Sequence, residues 1–320
     1  MSLLFAWATV AVAGSKSVTA LSLAQEAGKW PIPGLCPGET AQLQLTTTDS
    51  AGRTRDLRLG RRAGVTLSWG FGEVSPRGEV RMPDDPRVAW GKPGTVTATL
   101  DADPTVQATL DVPLRFDCSV TVDLSGREGL DGHDGTDGAS NEQGRGGDGL
   151  RGEPGDPGRD GPAVQVHATL VTEPRTGAEV LQVELGVVGE VSRYVAIDPE
   201  DGELVVMANG GRGGRGGAGG DAGSKERGRR QRRLPGAGGD GGTGGDGGSV
   251  EVLVDPSAQG HVRAIVVENG GGPGGPPGNG GQRAADSAND AASKGLAEAG
   301  RPGTAGPPPV VRTAPLGAIW

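Results

Sequence analysis

The densest group of side chains that could bind a ligand lies in a short basic stretch, residues 225–233. Its six cationic residues are Lys225, Arg227, Arg229, Arg230, Arg232 and Arg233. Such a cluster can bind an anionic polymer, for example lipopolysaccharide or an acidic polysaccharide, or present a protease site. A solvated loop that balances an acidic chain is the alternative, because the formal net charge is −9. The same negative charge argues against a general nucleic-acid binder, which needs a basic surface.

Histidine, serine and cysteine show no arrangement that is typical of catalysis. The three histidines, at positions 133, 167 and 261, are far apart in the sequence. No serine lies in a G-x-S-x-G nucleophile elbow, and no phosphate-binding G-x-x-x-x-G-K-[ST] loop occurs. Two cysteines and three histidines without ligand spacing do not predict a zinc site. The sequence therefore predicts a protein that is not an enzyme, with no catalytic residues, no cofactor and no metal.

Aspartates recur in the first glycine-rich run, where their carboxylate oxygens could bind calcium. They are Asp131, Asp134, Asp137 and Asp148. The calcium-binding nonapeptide needs an apolar residue two places after its aspartate, whereas glycine occupies that place after Asp221 and after Asp246. We therefore interpret the aspartates as exposed side chains that keep the chain soluble.

The two cysteines, Cys36 and Cys118, predict one disulfide if the chain is exported. Export is indicated by residues 1–13, an apolar run that ends in AVA, a small-x-small site of the type that signal peptidase cleaves. No Lys or Arg precedes this run, and a buried first strand is the alternative. The disulfide would contribute about 4–5 kcal/mol in the chain-entropy model. Two separate buried thiols are the other possibility.

Residues 14–125 are predicted to form a β-sandwich. Short segments alternate apolar and polar residues, as in residues 42–45, where Leu43 and Leu45 alternate with glutamines. Turn sequences separate these segments, for example at residues 49–52 and 91–94. Alternating strands with turns at this spacing are typical of an antiparallel sandwich.

Several motifs in this part of the chain are similar to those of a known family. The sequences VTALSL at 18–23, PGETAQLQL at 37–45, DSAG at 49–52 and LSW at 67–69 resemble bacterial immunoglobulin-like domains. In that family such domains mostly act as spacers or adhesive modules on the cell surface. The resemblance therefore implies an immunoglobulin-like sandwich, although the Cys…Trp…Cys spacing differs from that of antibody domains.

Residues 126–281 contain 45 of the 62 glycines, many of them at every third position. A polyproline-II-type helix has three residues per turn, so glycine at every third position leaves one of its sides bare. Doubled glycines, frequent in 210–220 and 238–248, leave two sides bare. Strand-like pieces lie between the runs. These patterns predict a polyproline-II-type helix bundle with interleaved β-hairpins, followed at 282–320 by a low-complexity Ala/Pro tail.

Two packings could bury the bare glycine edges. One is a collagen-like trimer, and GLRGEPGDPGRDG at 149–161 looks like bacterial collagen-like sequence. The other is a bundle within one chain, which the short runs, doubled glycines and intervening strands favour. Residues 238–254 and 268–272 resemble the glycine-rich domain of Obg GTPases, which combines polyproline-II-type helices with strands. This resemblance implies a fold and not GTPase activity.

These observations together predict a mainly β, exported, non-enzymatic protein of the cell surface, outer envelope or extracellular space. Its role would be structural or adhesive. Its partners would be surface or envelope polymers or other proteins, and a homo-oligomer would follow from the collagen-like packing. The alternative function is a binding module that holds an anionic polysaccharide or lipopolysaccharide through residues 225–233.

Overall fold

A computed structural model describes residues 18–25, 34–60, 64–139, 147–187, 189–223, 234–282 and 297–320. The chain is mainly β and contains several sheets. The predicted leader, residues 1–13, and the basic stretch, residues 225–233, lie outside the described residues. No helix in the described part of the chain is long and apolar enough to cross a membrane.

Two antiparallel sheets formed by residues 18–111 share one core, consistent with the predicted β-sandwich. The first sheet contains β1 (Val18–Gln25), β2 (Thr40–Asp49), β3 (Thr54–Leu57), β5 (Glu73–Val74) and β6 (Glu79–Arg81). The second contains β4 (Val65–Trp69), β7 (Thr95–Leu100) and β8 (Asp103–Asp111). The alternation along β2 buries Leu43 and Leu45 in this core and leaves the intervening glutamines exposed, as the sequence predicts.

The second half of the chain forms two further sheets around its own apolar core. The first is parallel throughout and contains β9 (Ser119–Asp123), β13 (Glu203–Met207) and β15 (Ile265–Glu268). The second contains, in spatial order, β12 (Arg193–Ile197), β11 (Glu179–Val187), β10 (Val164–Thr172), β14 (Val250–Val254) and β16 (Val310–Thr313). Short 3-10 helices span Pro86–Val88 and Pro256–Ala264.

The strand pairing of this half differs from the predicted interleaved hairpins. In the described residues of this half, β10, β11 and β12 form an antiparallel meander. All the other strand pairs of this half are parallel. Glycine-rich excursions explain the difference, because each carries the chain away from the sheets and back. Strands that precede an excursion (β9, β13, β15) therefore gather in one sheet, and strands that follow one (β10, β14, β16) gather in the other.

The three excursions consist of six extended segments, which we call the glycine array. Segments 1, 3 and 5, residues 124–139, 208–223 and 269–282, run outward, and segments 2, 4 and 6, residues 147–163, 234–249 and 297–309, run back. The described chain contains no helix bundle, which corrects the prediction made from the glycine period. A glycine-triplet chain of the polyproline-II type has no internal hydrogen bonds, so its N–H groups must find partners on other segments.

Backbone hydrogen bonds join the segments at every third residue. In the parallel pair of segments 1 and 3, Gly129 donates its N–H to the Arg212 carbonyl at 2.8 Å, and Gly132 donates to the Arg215 carbonyl at 2.8 Å. Consecutive segments are antiparallel, as where Gly242 donates to the Gly214 carbonyl at 2.8 Å. The result is two stacked layers, one of segments 1, 3 and 5 and one of segments 2, 4 and 6.

The register of each β-ladder continues into the array. Ser119 of β9 pairs with Glu203 of β13, 84 residues later, and the contact between Asp131 and Arg215 in segments 1 and 3 has the same separation. The ladder of β10 with β14 and the pair of segments 2 and 4 share a separation of 86 residues. The apolar strands at the base therefore fix which triplets meet in the array.

Doubled glycines run through the two segments that have the most neighbours. Segments 3 and 4 each bond to four others and have paired glycines, whereas the edge segment 1 bonds to two and has single glycines. A Cβ on Gly213 would lie 2.0 Å from the Gly242 carbonyl oxygen, and one on Gly214 would lie 1.9 Å from that of Leu130. Doubled glycines therefore serve the inner segments, which contact backbones on two sides.

Residues 297–320 are part of the fold, whereas the sequence predicts a low-complexity tail. Gly300 and Gly303 donate to carbonyls of segment 5 at 2.9 Å, and β16 pairs with β14. The ring of Trp320 then packs edge to face on Trp90 and Tyr194, with centroids 6.0 and 5.7 Å away. Segment 6 needs only one glycine per triplet, so its glycine period is weak among the surrounding alanines and prolines. The sequence prediction missed this segment for that reason.

The predicted disulfide between Cys36 and Cys118 is confirmed, with the two Cα atoms 6.2 Å apart. Its position differs from the one that the sequence indicates, since both cysteines fall within the domain predicted to end at residue 125. Cys118 directly precedes β9, which pairs with β13 of the second half. The bridge therefore ties the sandwich to the second half. Next to it, the Gly91 N–H donates to the Glu173 carboxylate at 3.2 Å across the same junction.

Replacing a glycine of the array should be far more disruptive than replacing its exposed neighbour. A Cβ on Gly242 would lie 1.9 Å from the Asp156 carbonyl oxygen, whereas the adjacent Thr243 is exposed. We expect Gly242→Ala to lower the free energy of unfolding by about 3 kcal/mol or more, and Thr243→Ala by less than about 0.5 kcal/mol. Denaturant unfolding of both variants checks this, and equal tolerance would contradict the observed packing.

Candidate functional site

The glycine array presents two broad faces whose chemistry is set by the third residue of each triplet. On the face of segments 1, 3 and 5, acidic side chains of segment 1 lie beside Arg212 and Arg215 of segment 3. Both arginines are exposed, as is Thr243 on the opposite face, while Gly213 and Gly214 between the arginines are buried. Glycines therefore form the interior of the array and charged residues its surface.

Aspartates on these faces accept backbone hydrogen bonds from the next segment. Eight such contacts run from a main-chain N–H to an aspartate Oδ1, at 2.6–2.9 Å. The acceptors are Asp131, Asp134, Asp137, Asp148, Asp160, Asp221, Asp240 and Asp246. Each satisfies an N–H that faces solvent at the surface of the array, where the adjacent backbone offers no carbonyl. An ionised carboxylate is a strong acceptor for such a group.

This aspartate ladder changes the interpretation of the acidic residues. The sequence predicts exposed carboxylates that only keep the chain soluble, whereas the structure gives each of them a backbone partner in a neighbouring segment. The separations between partners, 58 to 86 residues, are too long for a local pattern to indicate them. Among the described residues, no group of three or more His, Cys, Asp or Glu side chains is placed to hold a metal ion.

Where segment 3 presents an arginine instead of an aspartate, the matching position of segment 5 is a proline, which has no N–H to donate. Gln282 donates its N–H to Asp221, a separation of 61 residues. At the same separation from Arg212 and Arg215 the chain has Pro273 and Pro276, which have no N–H to satisfy. The residue types on the two segments thus match across the array, and this match is invisible in either run alone.

The basic residues 225–233 connect segments 3 and 4, and their own placement lies outside the described residues. The flanking residues Gly223 and Leu234 are described at the end of the array farthest from the sheets. There Gly223 donates its N–H to the Gly147 carbonyl at 3.1 Å, and Leu234 donates to Asp148 Oδ1 at 2.9 Å. The described residues on either side of the basic stretch therefore both lie at the outer end of the array.

The three histidines lie on separate elements. His133 is exposed on segment 1, His167 on β10 has Nδ1 3.6 Å from Glu184 Oε2, and His261 has Nδ1 3.0 Å from Glu200 Oε1. No serine or threonine hydroxyl bonds to any of the three within the described chain. The described residues therefore show no nucleophile–base pair around a histidine.

No protein-family model matches the chain, and no curated protein matches it.

The contact between Asp246 and Thr304 should make this edge of the array sensitive to acid. Hydrogen bonds from the Thr304 N–H and hydroxyl lower the pKa of Asp246 below the ordinary aspartate value. A lowered folded pKa means that the stabilisation is complete above the unfolded value of about 3.9 and is lost as the pH falls further. We expect amide exchange at Thr304, corrected for its intrinsic pH dependence, to lose protection as the pH falls below about 4.

Asp246→Asn should remove that transition, because an amide oxygen still accepts the hydrogen bond but does not titrate. Asp201→Asn, in the loop before β13, is the matched control and should leave the transition at Thr304 unchanged. An acid transition at Thr304 that survives in the Asp246→Asn protein would assign the effect to another group.

Proposed function

We propose that this chain is an exported, non-enzymatic structural protein in which the glycine array is a rigid spacer of the cell surface or envelope. The observation that carries the proposal is the array itself, in which backbones of six segments bond directly to one another every third residue. At a rise of about 3.1 Å per residue, each outward segment would extend about 45 Å from the sheets. We propose that the hydrogen bonds between neighbouring segments keep these glycine-rich segments rigid over that length.

The disulfide supports placement outside the cytoplasm. Cys36 and Cys118 form one disulfide between the two halves, and disulfides persist in oxidising compartments. The apolar run that ends at Ala13 supports the same placement. We propose residues 1–13 as the signal peptide on this basis.

The resemblances found in the sequence fit this proposal. Two antiparallel sheets around one core favour an immunoglobulin-like sandwich for the first half, a fold that serves as a spacer or adhesive module in bacterial surface proteins. For the second half we propose an arrangement like the glycine-rich domain of Obg GTPases. The alternation of extended glycine-rich segments with strands supports this comparison.

A structural role outside the cytoplasm predicts a specific outcome in the native cells. We expect the mature chain to begin near Gly14, to occur in the envelope or external fraction, and to resist thiol alkylation without reductant. Gly242→Ala should lower the amount of the protein in that fraction and give the phenotype of a deletion. Thr243→Ala should give the same amount and phenotype as the parent chain. A cytoplasmic protein that retains Met1 and two free thiols would refute the proposal.

The second candidate function is binding of an anionic polysaccharide or lipopolysaccharide at the outer end of the array. It is favoured by the position of Gly223 and Leu234, the described residues nearest the basic stretch on either side, which both lie at that end. It also fits the sequence, since six cations in this stretch contrast with a net charge of −9 for the chain.

Binding of this kind should depend on salt and on the six cations. We expect heparin to retain the chain at low salt and to release it before about 0.5 M salt, because charge contacts of exposed groups are screened. Glutamine at Lys225, Arg227, Arg229, Arg230, Arg232 and Arg233 should abolish retention, whereas glutamine at Arg212 and Arg215 is the control that should retain it. Equal retention of both variants would exclude this stretch as the contact.

A further inference from the structure

Strand β16 is the outermost strand of the five-stranded sheet in the second half, and it is exposed along its whole length. It pairs with β14 on one side, and within the described residues no strand lies on its other side. All four of its residues are exposed, among them Val310 (47% exposed) and Val311 (53%). Apolar side chains on an exposed sheet edge indicate a surface that pairs with another chain.

The backbone groups of β16 that face away from β14 follow from the hydrogen bond just after the strand. The Ala314 N–H donates to the Val254 carbonyl at 3.0 Å, toward β14. Bonding directions alternate along a strand, so the groups of Arg312 also point toward β14, while those of Val311 and Thr313 point away. In the part of the chain that the structure describes, no other element bonds to these outward groups. They are therefore unpaired donors and acceptors on an exposed edge.

The apolar core of the second half also reaches this edge. Val311 lies on the core face of the sheet, because its neighbour Val252 in β14 is buried in that core. Val262 and Val267 pack against the same core and are only partly buried. The three excursions form a stack of repeats, and the last repeat of such a stack leaves an apolar side that needs a cap. The sheet continues from β10 into β11 at the first repeat, whereas the described chain adds no strand beyond β16.

The charge of this edge favours a second copy of the same chain as the cap. Residues 302–311, which lead into β16 and include its two valines, contain no charged side chain. The next residue, Arg312, pairs with Glu251 of β14 at 3.0 Å, so its charge is balanced within the chain. A surface that meets its own copy across a twofold axis brings identical charges together. A neutral surface permits this contact and a charged one opposes it.

The register of such a pair follows from the side chains of β16. With the twofold axis at Val311, the two Val311 side chains lie opposite each other, and Arg312 lies opposite Val310 of the second copy. With the axis at Arg312, two arginines would lie opposite each other, which is unfavourable. In the first register Val311 bonds to its own copy through both its N–H and its C=O, since these groups face outward.

We propose that two copies of this chain associate through β16, which pairs antiparallel with its copy around a twofold axis at Val311. The pairing would join the two five-stranded sheets and would cover the exposed side of each apolar core. Pro307, Pro308 and Pro309 have no N–H, which confines the pairing to β16. A contact this short predicts a dimer that dissociates at micromolar concentrations. Neither the spacer role nor the binding of polysaccharide requires this contact.

Sedimentation of the full chain tests the association. We expect monomers at about 10 µM and dimers at about 0.5 mM. The dimer should persist in about 0.5 M salt, because salt screens charge contacts and not apolar ones. Val311→Lys should weaken association about tenfold or more, because two ammonium groups would meet at the axis. Val191→Lys, at a valine that is 91% exposed between β11 and β12, is the matched control and should leave association unchanged.

Amide exchange tests whether the backbones pair. As the protein concentration rises, we expect exchange at Val311 to slow about tenfold or more, because its N–H gains a ladder hydrogen bond. Exchange at Arg312, whose N–H faces β14, should stay the same. Val311→Pro removes an outward donor and keeps the ladder with β14, so it should weaken association while the monomer remains folded. Thermal unfolding at about 10 µM checks the fold of each variant.

Three results would overturn the proposal. The first is a chain that stays monomeric at about 0.5 mM. The second is a dimer that Val311→Lys and Val191→Lys affect equally, which would place the contact elsewhere on the surface. The third is a dimer that forms without slower exchange at Val311, which would indicate an apolar contact without strand pairing.

Discussion

A backbone that carries no Cβ can approach another backbone until its N–H meets a carbonyl directly, and the second half of this protein depends on that approach. At the inner segments a Cβ would lie about 2 Å from a carbonyl oxygen, as at Gly213 and Gly242. The spacing of the array is therefore set by the missing side chains. Each segment also supplies the hydrogen bonds that its neighbours lack, so that a defect in one segment affects several.

Such an array needs an anchor, because glycine loses more conformational entropy on folding than any other residue. The anchor is the apolar core beneath it, in which Leu204 and Val252 are almost fully buried. Five strands of that core, β9, β10, β13, β14 and β15, lead into or out of a segment, and the ladder register is kept across the change of structure. Hydrophobic burial thus specifies the alignment, and backbone hydrogen bonds propagate it outward.

The junction between the two halves combines a covalent bond with packed rings. The bridge of Cys36 and Cys118 lies beside a cleft between the two halves, while Trp90 and Trp320 pack edge to face nearby. These contacts hold the sandwich against the second half without closing the seam between β9 and β12.

The sequence by itself determined the elements with short repeats: the alternation that buries Leu43 and Leu45, the glycine period of three, and the disulfide, for which only one pairing exists. Tertiary structure alone decided the parallel sheets, the aspartate ladder and the inclusion of residues 297–320. The reason is distance along the chain. A period of two or three residues can be recognised from neighbouring positions in the sequence. The partners of Asp131 and Asp246 lie 84 and 58 residues away, and the core that aligns the segments determines them.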